Sequence, residues 1–249
     1  MNNTIQDELE LSNSKMIEEV IFRGKPLAKL TRDNVAIVEA MIRNDSAYIH
    51  STKVDGAPDK KYGGSSAYWM MQLKKYLLEG QKNGAYSIEN IIRGAVEAVD
   101  RENSTHLNAD NCGREEIIGR ICKYDQSELL KCLQNPDYND MMLIRDISRK
   151  TSAKKRARTN LSFASKFCHY ACFYIFEGTE YQDNYSIYDG IMKKILPSYL
   201  EYYSIEETYD LSDYKDYRVA VDRIREASGI EISRNGFDHL LWYYHKGRL

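Results

Sequence analysis

The chain has 249 residues, a formal net charge of −2, 43% hydrophobic and 29% charged residues. That is a globular balance with room for one large domain or two lobes around a shared core. Its longest apolar runs, such as Ala171 to Phe176, are too short to cross a bilayer, and the polar, acidic start MNNTIQDELELSNSK lacks the layout of a secretory signal. Secreted, membrane-spanning and collagen-like classes are excluded on these grounds, and a cytoplasmic setting is expected.

Helical signals recur along the chain and strand signals do not. Residues 31–44 begin at a candidate cap, Thr31, and carry an apolar stripe of Val35, Val38, Met41 and Ile42. A Gly-, Asp- and Lys-rich loop covers 51–66. The next helix runs from Ser66 to Glu79 and ends at Gly80, with Tyr68, Trp69, Leu73, Tyr76 and Leu77 on its apolar side. Ser87 caps a helix in which Ile88, Ile91, Ile92, Ala95, Val96 and Val99 follow helical spacing. Further helices are predicted near 114–123 and 127–134, the second closed by Pro136. Phe163 to Phe176 is nearly all apolar and aromatic, the pattern of a buried helix. Ser204 and Glu207 are spaced as a capping box. Helices over 213–227, closed by Gly229, and from Asn235 to Tyr244 complete the series, the last burying Phe237, Leu240, Leu241 and Tyr244. With four prolines and no repeat period, the expected fold class is all-α. No low-complexity linker divides the chain, so the expectation is a single domain over 1–249 with interleaved lobes near 30–145 and 146–249.

Five cysteines without an export signal point to reduced thiols. Cys112, Cys122 and Cys132 fall ten apart, which matches no metal-ligand spacing, and Cys168 and Cys172 lack further ligands, so no metal and no cofactor are expected. Twenty tyrosines against six phenylalanines suit base stacking or wet pockets, and equally reflect codon bias in an Asn-, Ile- and Lys-rich chain.

Charge is unevenly placed. Arg145, Arg149, Lys150, Lys154, Lys155, Arg156 and Arg158 face only Asp146 within their stretch, and six acids between Glu201 and Asp216 face only Lys215. Such polarity is a candidate nucleic-acid footprint with an acidic far side; a solvated loop and a solvated acidic helix are the plainer account.

The stretch Thr159 to Ile195 concentrates the chemistry. A small-residue turn (Ser162, Ala164, Ser165) precedes Lys166 at the start of the buried helix, and Ser186-Ile187-Tyr188-Asp189-Gly190 places a carboxylate at the head of the next one. This ordered set resembles the helix-hairpin-helix DNA glycosylase superfamily, in particular its 8-oxoguanine-glycosylase-like branch. There, a hairpin is followed by a lysine at the head of a helix and, about two dozen residues on, by an aspartate opening another. Lys166 and Asp189 match those positions, and Phe237-Asp238-His239-Leu240-Leu241-Trp242 resembles a C-terminal helix of related bacterial sequences. The resemblance covers about the last third of the chain. It departs from the family in one respect: Asn160 to Ser165 has no glycine where the hairpin is usually Gly-rich.

The resemblance implies an all-α, two-lobed fold of that type and excision of a damaged or modified base, either an oxidised purine or a hypermodified phage base such as glucosylated hydroxymethylcytosine in an antiviral setting. It implies catalysis by Asp189, which would oppose charge on the sugar, and by Lys166, which if desolvated would attack the sugar carbon and nick the strand. DNA contacts are expected from Arg149, Lys150, Lys154, Lys155, Arg156, Arg158, Ser162 and Ser165, and a pocket for the flipped base from Trp69, Tyr188, His169 and Trp242. Each residue also has a simpler account: Lys166 solvated, Asp189 an N-cap, His169 a satisfied core histidine. A non-catalytic nucleic-acid-binding adaptor on the same fold is the competing class, and a helical ribonuclease, lacking its clustered Arg and His, ranks last.

Overall fold

A computed structural model describes residues 16–44, 64–80, 86–103, 105, 107, 113–152, 159–246 and 248. Among them lie ten α-helices, one 3-10 turn and a two-stranded sheet, so the chain is mostly helical. This agrees with the all-α expectation, to which the described residues add one short two-stranded sheet. Strands β1 (Glu19–Phe22) and β2 (Lys25–Ala28) pair antiparallel with Phe22 opposite Lys25. They are joined by Arg23 and Gly24, both at positive φ (49° and 75°), the backbone that a tight two-residue hairpin requires. Four-residue strands are too short to show alternation, and Pro26 argues against a strand in sequence.

The chain divides into two compact units, one formed by Ile49–Tyr188 and the other by Met1–Tyr48 together with Asp189–Leu249. These bounds differ from those of the expected lobes, 30–145 and 146–249. The first helix pairs with the last, and the buried central helix belongs with the helices that precede it.

In the unit formed by the two ends, α1 (Arg32–Asn44) starts where the Thr31 hydroxyl accepts the Asn34 N–H at 3.1 Å. It packs on α10 (Arg234–His245), and α8 (Gly190–Tyr202) packs on α9 (Tyr214–Ala227) and α10. Val38, Leu196, Tyr217, Phe237, Leu240 and Leu241 form its core. Tyr199 on α8 donates its hydroxyl to the Ala28 carbonyl at 3.0 Å, which fixes the hairpin to the helices. Ser204 does not open a capping box. It sits at φ 55° just past α8, where the Ile205 N–H returns to the Leu200 carbonyl at 2.9 Å. That is a helix-closing bond, and residues 205–210 are not helical.

In the unit 49–188, α2 (Ser66–Glu79) is capped by Ser65 and ends at Gly80 in the left-handed region, φ 63°. Ser87 accepts the Asn90 N–H to start α3 (Ile88–Asn103). There follow α4 (Gly113–Ile121), α5 (Gln126–Gln134), α6 (Met142–Ser148), α7 (Leu161–Ile175) and the 3-10 turn Glu180–Asp183. Helix α6 was not expected; it underlies the start of the basic stretch. The apolar helix α7 packs against α2, α3, α5, α6 and the 3-10 turn, which accounts for its run of fully buried side chains. Trp69 of α2 rests on Gly94 of α3, where a Cβ would stand 2.3 Å from the indole ring. Only glycine permits that approach.

Candidate functional site

The connection from α6 to α7 begins with residues whose backbone is held from α4. Arg120 donates to the Arg149 carbonyl at 2.7 Å and to the Lys150 carbonyl at 2.8 Å, and it also donates to Glu116 at 3.2 Å. Glu116 in turn accepts the Ser152 N–H at 2.8 Å; the Ser152 hydrogen bonds, with Arg120 beside them, hold its carboxyl below the usual range. On the far side, Asn160 donates its backbone N–H to Ser148 at 2.9 Å and its side-chain amide to Arg149 at 3.1 Å. The guanidinium therefore sits over carbonyls just beyond the end of α6, a favourable place for a cation. Of the expected DNA contacts, Arg149 is exposed and paired to Asp146 at 3.0 Å, and Lys150 is exposed. Lys154, Lys155, Arg156 and Arg158 lie outside the described residues.

The expected turn at Asn160 to Ser165 is instead the first part of α7, so Lys166 stands in the second turn of that helix, half-buried, and not at its head. Ser162 is half-buried and its carbonyl accepts from Ser165 at 3.1 Å. Ser165 is wholly buried: its hydroxyl oxygen accepts the Tyr188 N–H at 2.9 Å, and the Tyr188 carbonyl lies 3.4 Å away as a second acceptor for its proton. This corrects its expected role as a phosphate ligand, because the hydroxyl is enclosed and used inside the protein.

Two of the expected pocket aromatics are core residues. Trp69 is fully buried, edge-on to Tyr68 and Tyr86 and flat on Gly94, and has no face for a base. His169 is buried, with Nδ1 donating to the Tyr185 carbonyl at 2.8 Å and the ring stacked on Phe173. Tyr188 is half-buried. Trp242, on α10 in the other unit, is half-buried, with the Lys246 ammonium 4.2 Å from its ring centre.

Asp189 is the first residue of the other unit and the N-cap of α8. Its backbone is extended, φ −144° and ψ 175°, and Oδ1 accepts the Met192 N–H at 2.8 Å, as sequence reading anticipated for a cap. It is only 8% exposed. Among the described residues its second oxygen, Oδ2, accepts no hydrogen bond. The contrast with buried Asp100 is sharp: there Oδ1 accepts from Thr105 and Leu107, and Oδ2 takes both arms of Arg114. Burial pushes the Asp100 carboxyl up, and the Thr105, Leu107 and Arg114 contacts outweigh it, leaving the group below the ordinary range. A carboxylate held by one oxygen with the other uncommitted can accept a proton or oppose a positive charge.

Sequence reading missed Arg120, Glu116 and Asn160. Their contacts with the backbone of Arg149 and Ser152 cross 11 to 36 positions, and no local pattern announces those. Among the described residues no group of three His, Cys, Asp or Glu could hold a metal ion, and burial pushes the Cys168 and Cys172 thiols up, which leaves them poor nucleophiles. No helix among the described residues is long and apolar enough to cross a membrane. No family model, curated protein or solved structure matches the chain.

Proposed function

We propose that the chain is a DNA glycosylase that breaks the N-glycosidic bond of a damaged or modified base, with Asp189 as its central group. The observation that carries this reading is the state of Asp189: buried, fixed at the head of α8 through Oδ1, with Oδ2 uncommitted among the described residues. The anchored start of the α6–α7 connection, bearing Arg149 and Lys150 on the surface, supports DNA as the partner. Asp189 at the head of α8 matches the aspartate position of the glycosylase pattern, which supports the reaction class.

In this reaction the C–N bond to the base breaks with its electron pair leaving on the base, and positive charge grows on the sugar. The Asp189 carboxylate opposes that charge and takes the proton of the attacking water, and the product is an abasic site. Where the Lys166 amine attacks in place of water, a Schiff base forms and the strand is nicked. The base would be an oxidised purine or a hypermodified cytosine, and phage defence is the setting the second would serve.

The test is incubation with duplexes containing 8-oxoguanine, uracil or glucosylated hydroxymethylcytosine, resolved with and without alkali, with borohydride trapping alongside. Wild-type protein releases free base, and Asp189→Asn lowers release by about 10²-fold or more while retaining DNA affinity. A trapped adduct lost in Lys166→Ala assigns the lyase step. DNA binding without release of any base by wild type would overturn the glycosylase reading in favour of an adaptor.

A further inference from the structure

We infer that Arg120 is a positioning residue that holds Arg149 and Lys150 in place for a DNA backbone, an inference that rests on the proposed partner, DNA, and not on the reaction or on Asp189. Every residue it uses lies within the unit Ile49–Tyr188. The chain from Lys150 to Ser152 has no regular secondary structure, so its backbone groups have no ladder to pair with. Side chains of α4 take that part.

The Arg120 guanidinium reaches the carbonyls of Arg149 and Lys150 at 2.7 and 2.8 Å, and that of Asp146 on α6 at 3.4 Å. Glu116, one turn earlier on α4, accepts from Arg120 at 3.2 Å and from the Ser152 N–H at 2.8 Å. From the other end of the connection, Asn160 adds its bonds to Ser148 and Arg149 at 2.9 and 3.1 Å. Thr151 is turned inward and buried, while the side chains of Arg149 and Lys150 are exposed. The Arg149 side chain is steadied as well: Asp146 meets it at 3.0 Å and itself accepts the Tyr124 hydroxyl at 2.8 Å. A guanidinium has five N–H donors, so contact with one carboxylate oxygen leaves others for a phosphate.

Arg120 does not make that phosphate contact itself. Its side chain is 19% exposed and is engaged by Glu116 and by the carbonyls of the connection. Its contribution precedes binding: two cations already ordered need little further ordering when DNA arrives, and such preorganisation raises affinity without adding a contact. Salt separates the two kinds of contribution. A residue that neutralises a phosphate releases counterions, so its loss lowers the slope of log K against log salt by about 1. Loss of a positioning residue lowers affinity and leaves the slope as it was.

The experiment measures binding of a fluorescein-labelled DNA duplex by anisotropy over a range of salt, together with melting temperature and exchange of the Ser152 amide. Wild type is compared with Arg120→Met combined with Glu116→Ala, which keeps the net charge and removes the hold from α4. Asn160→Ala, which cuts one tie to the Arg149 carbonyl and leaves α4 intact, and Arg149→Gln complete the set. In the double variant the Ser152 amide is expected to exchange at least about 10-fold faster, and DNA affinity to fall about 10-fold at an unchanged slope. Asn160→Ala follows the same pattern at about 3-fold, and Arg149→Gln lowers the slope by about 1. Wild-type affinity in the double variant would overturn the inference, as would a slope that falls there as it does in Arg149→Gln, or an affinity loss that tracks the fraction unfolded. If the double variant does not fold, Asn160→Ala decides by the same criteria. Wild type that binds the duplex but releases no base leaves the positioning role standing and removes the glycosylase reading; wild type that binds no duplex overturns the inference together with the DNA partner.

Discussion

Single residues decide how closely the helices approach and where the carboxylates stand. Gly94 is the clearest case. The Trp69 indole lies where its Cβ would be, 2.3 Å from the ring atoms, and the tryptophan is wholly enclosed. Gly94→Ala should therefore cost about 2–3 kcal/mol despite the better helix propensity of alanine, read as a lower urea midpoint at unchanged m-value; an unchanged midpoint would show that the Trp69 ring can shift without cost. At the candidate site, Asp189 was legible because an aspartate before glycine and an apolar run marks a helix start. Its burial and its uncommitted oxygen were not, since both depend on what the fold stacks around it. Ser165 reads in sequence as one of several small polar residues before Lys166. Its bond to Tyr188 spans 23 positions, a tertiary fact that no spacing rule contains.

At the level of elements, helix ends marked by side-chain caps or left-handed glycines followed the sequence closely: Ser87 opens α3, Gly80 closes α2, and α10 buries Phe237, Leu240, Leu241 and Tyr244 as its periodicity requires. Elements shorter than two turns escaped. The hairpin has four residues per strand, and α6 spans only Met142–Ser148 with Arg145 and Asp146 inside it, so charge masked its apolar face. Ser204 misled because a serine three residues before a glutamate signals a cap only where the backbone is extended, and here it is left-handed. The pairing of α1 with α10 includes a titratable contact, His239 Nδ1 to Glu39 at 2.7 Å. Burial pulls the His239 pKa down, but the hydrogen bond and charge of Glu39, with Asp238 nearby, more than offset it and leave the value above 6.5. A raised folded-state pKa adds stability that is fully present below the unfolded value and lost as pH rises through the folded one. The melting-temperature advantage of wild type over Glu39→Gln should thus be widest near about pH 6, below the ordinary histidine value, and shrink as pH rises through the raised folded-state value. A gap independent of pH would mean the pair is held as a neutral hydrogen bond.

Across the whole molecule, a net charge of −2 conceals a basic stretch and an acidic one. Affinity for DNA, if it runs through the basic stretch, falls steeply with salt, since each phosphate neutralised releases condensed counterions. Reversing Lys154, Lys155 and Arg156 to glutamate should lower the slope of log K against log salt by about 2–3, and an identical slope would remove that stretch from the interface. The division into units has a different consequence, for synthesis. The unit Ile49–Tyr188 is contiguous in sequence, whereas its companion needs both the segment before it and the segment after it. On a ribosome, which issues the chain from the N-terminus, α1 emerges early with its apolar face bare and must wait for α10, its packing partner, until everything in between has been made. The inserted unit can be complete before the flanking one can begin to close. A nascent chain arrested just after Tyr188 would carry a finished helical core and a hairpin and helix still waiting for cover, and it is in that interval that chaperone demand should be greatest.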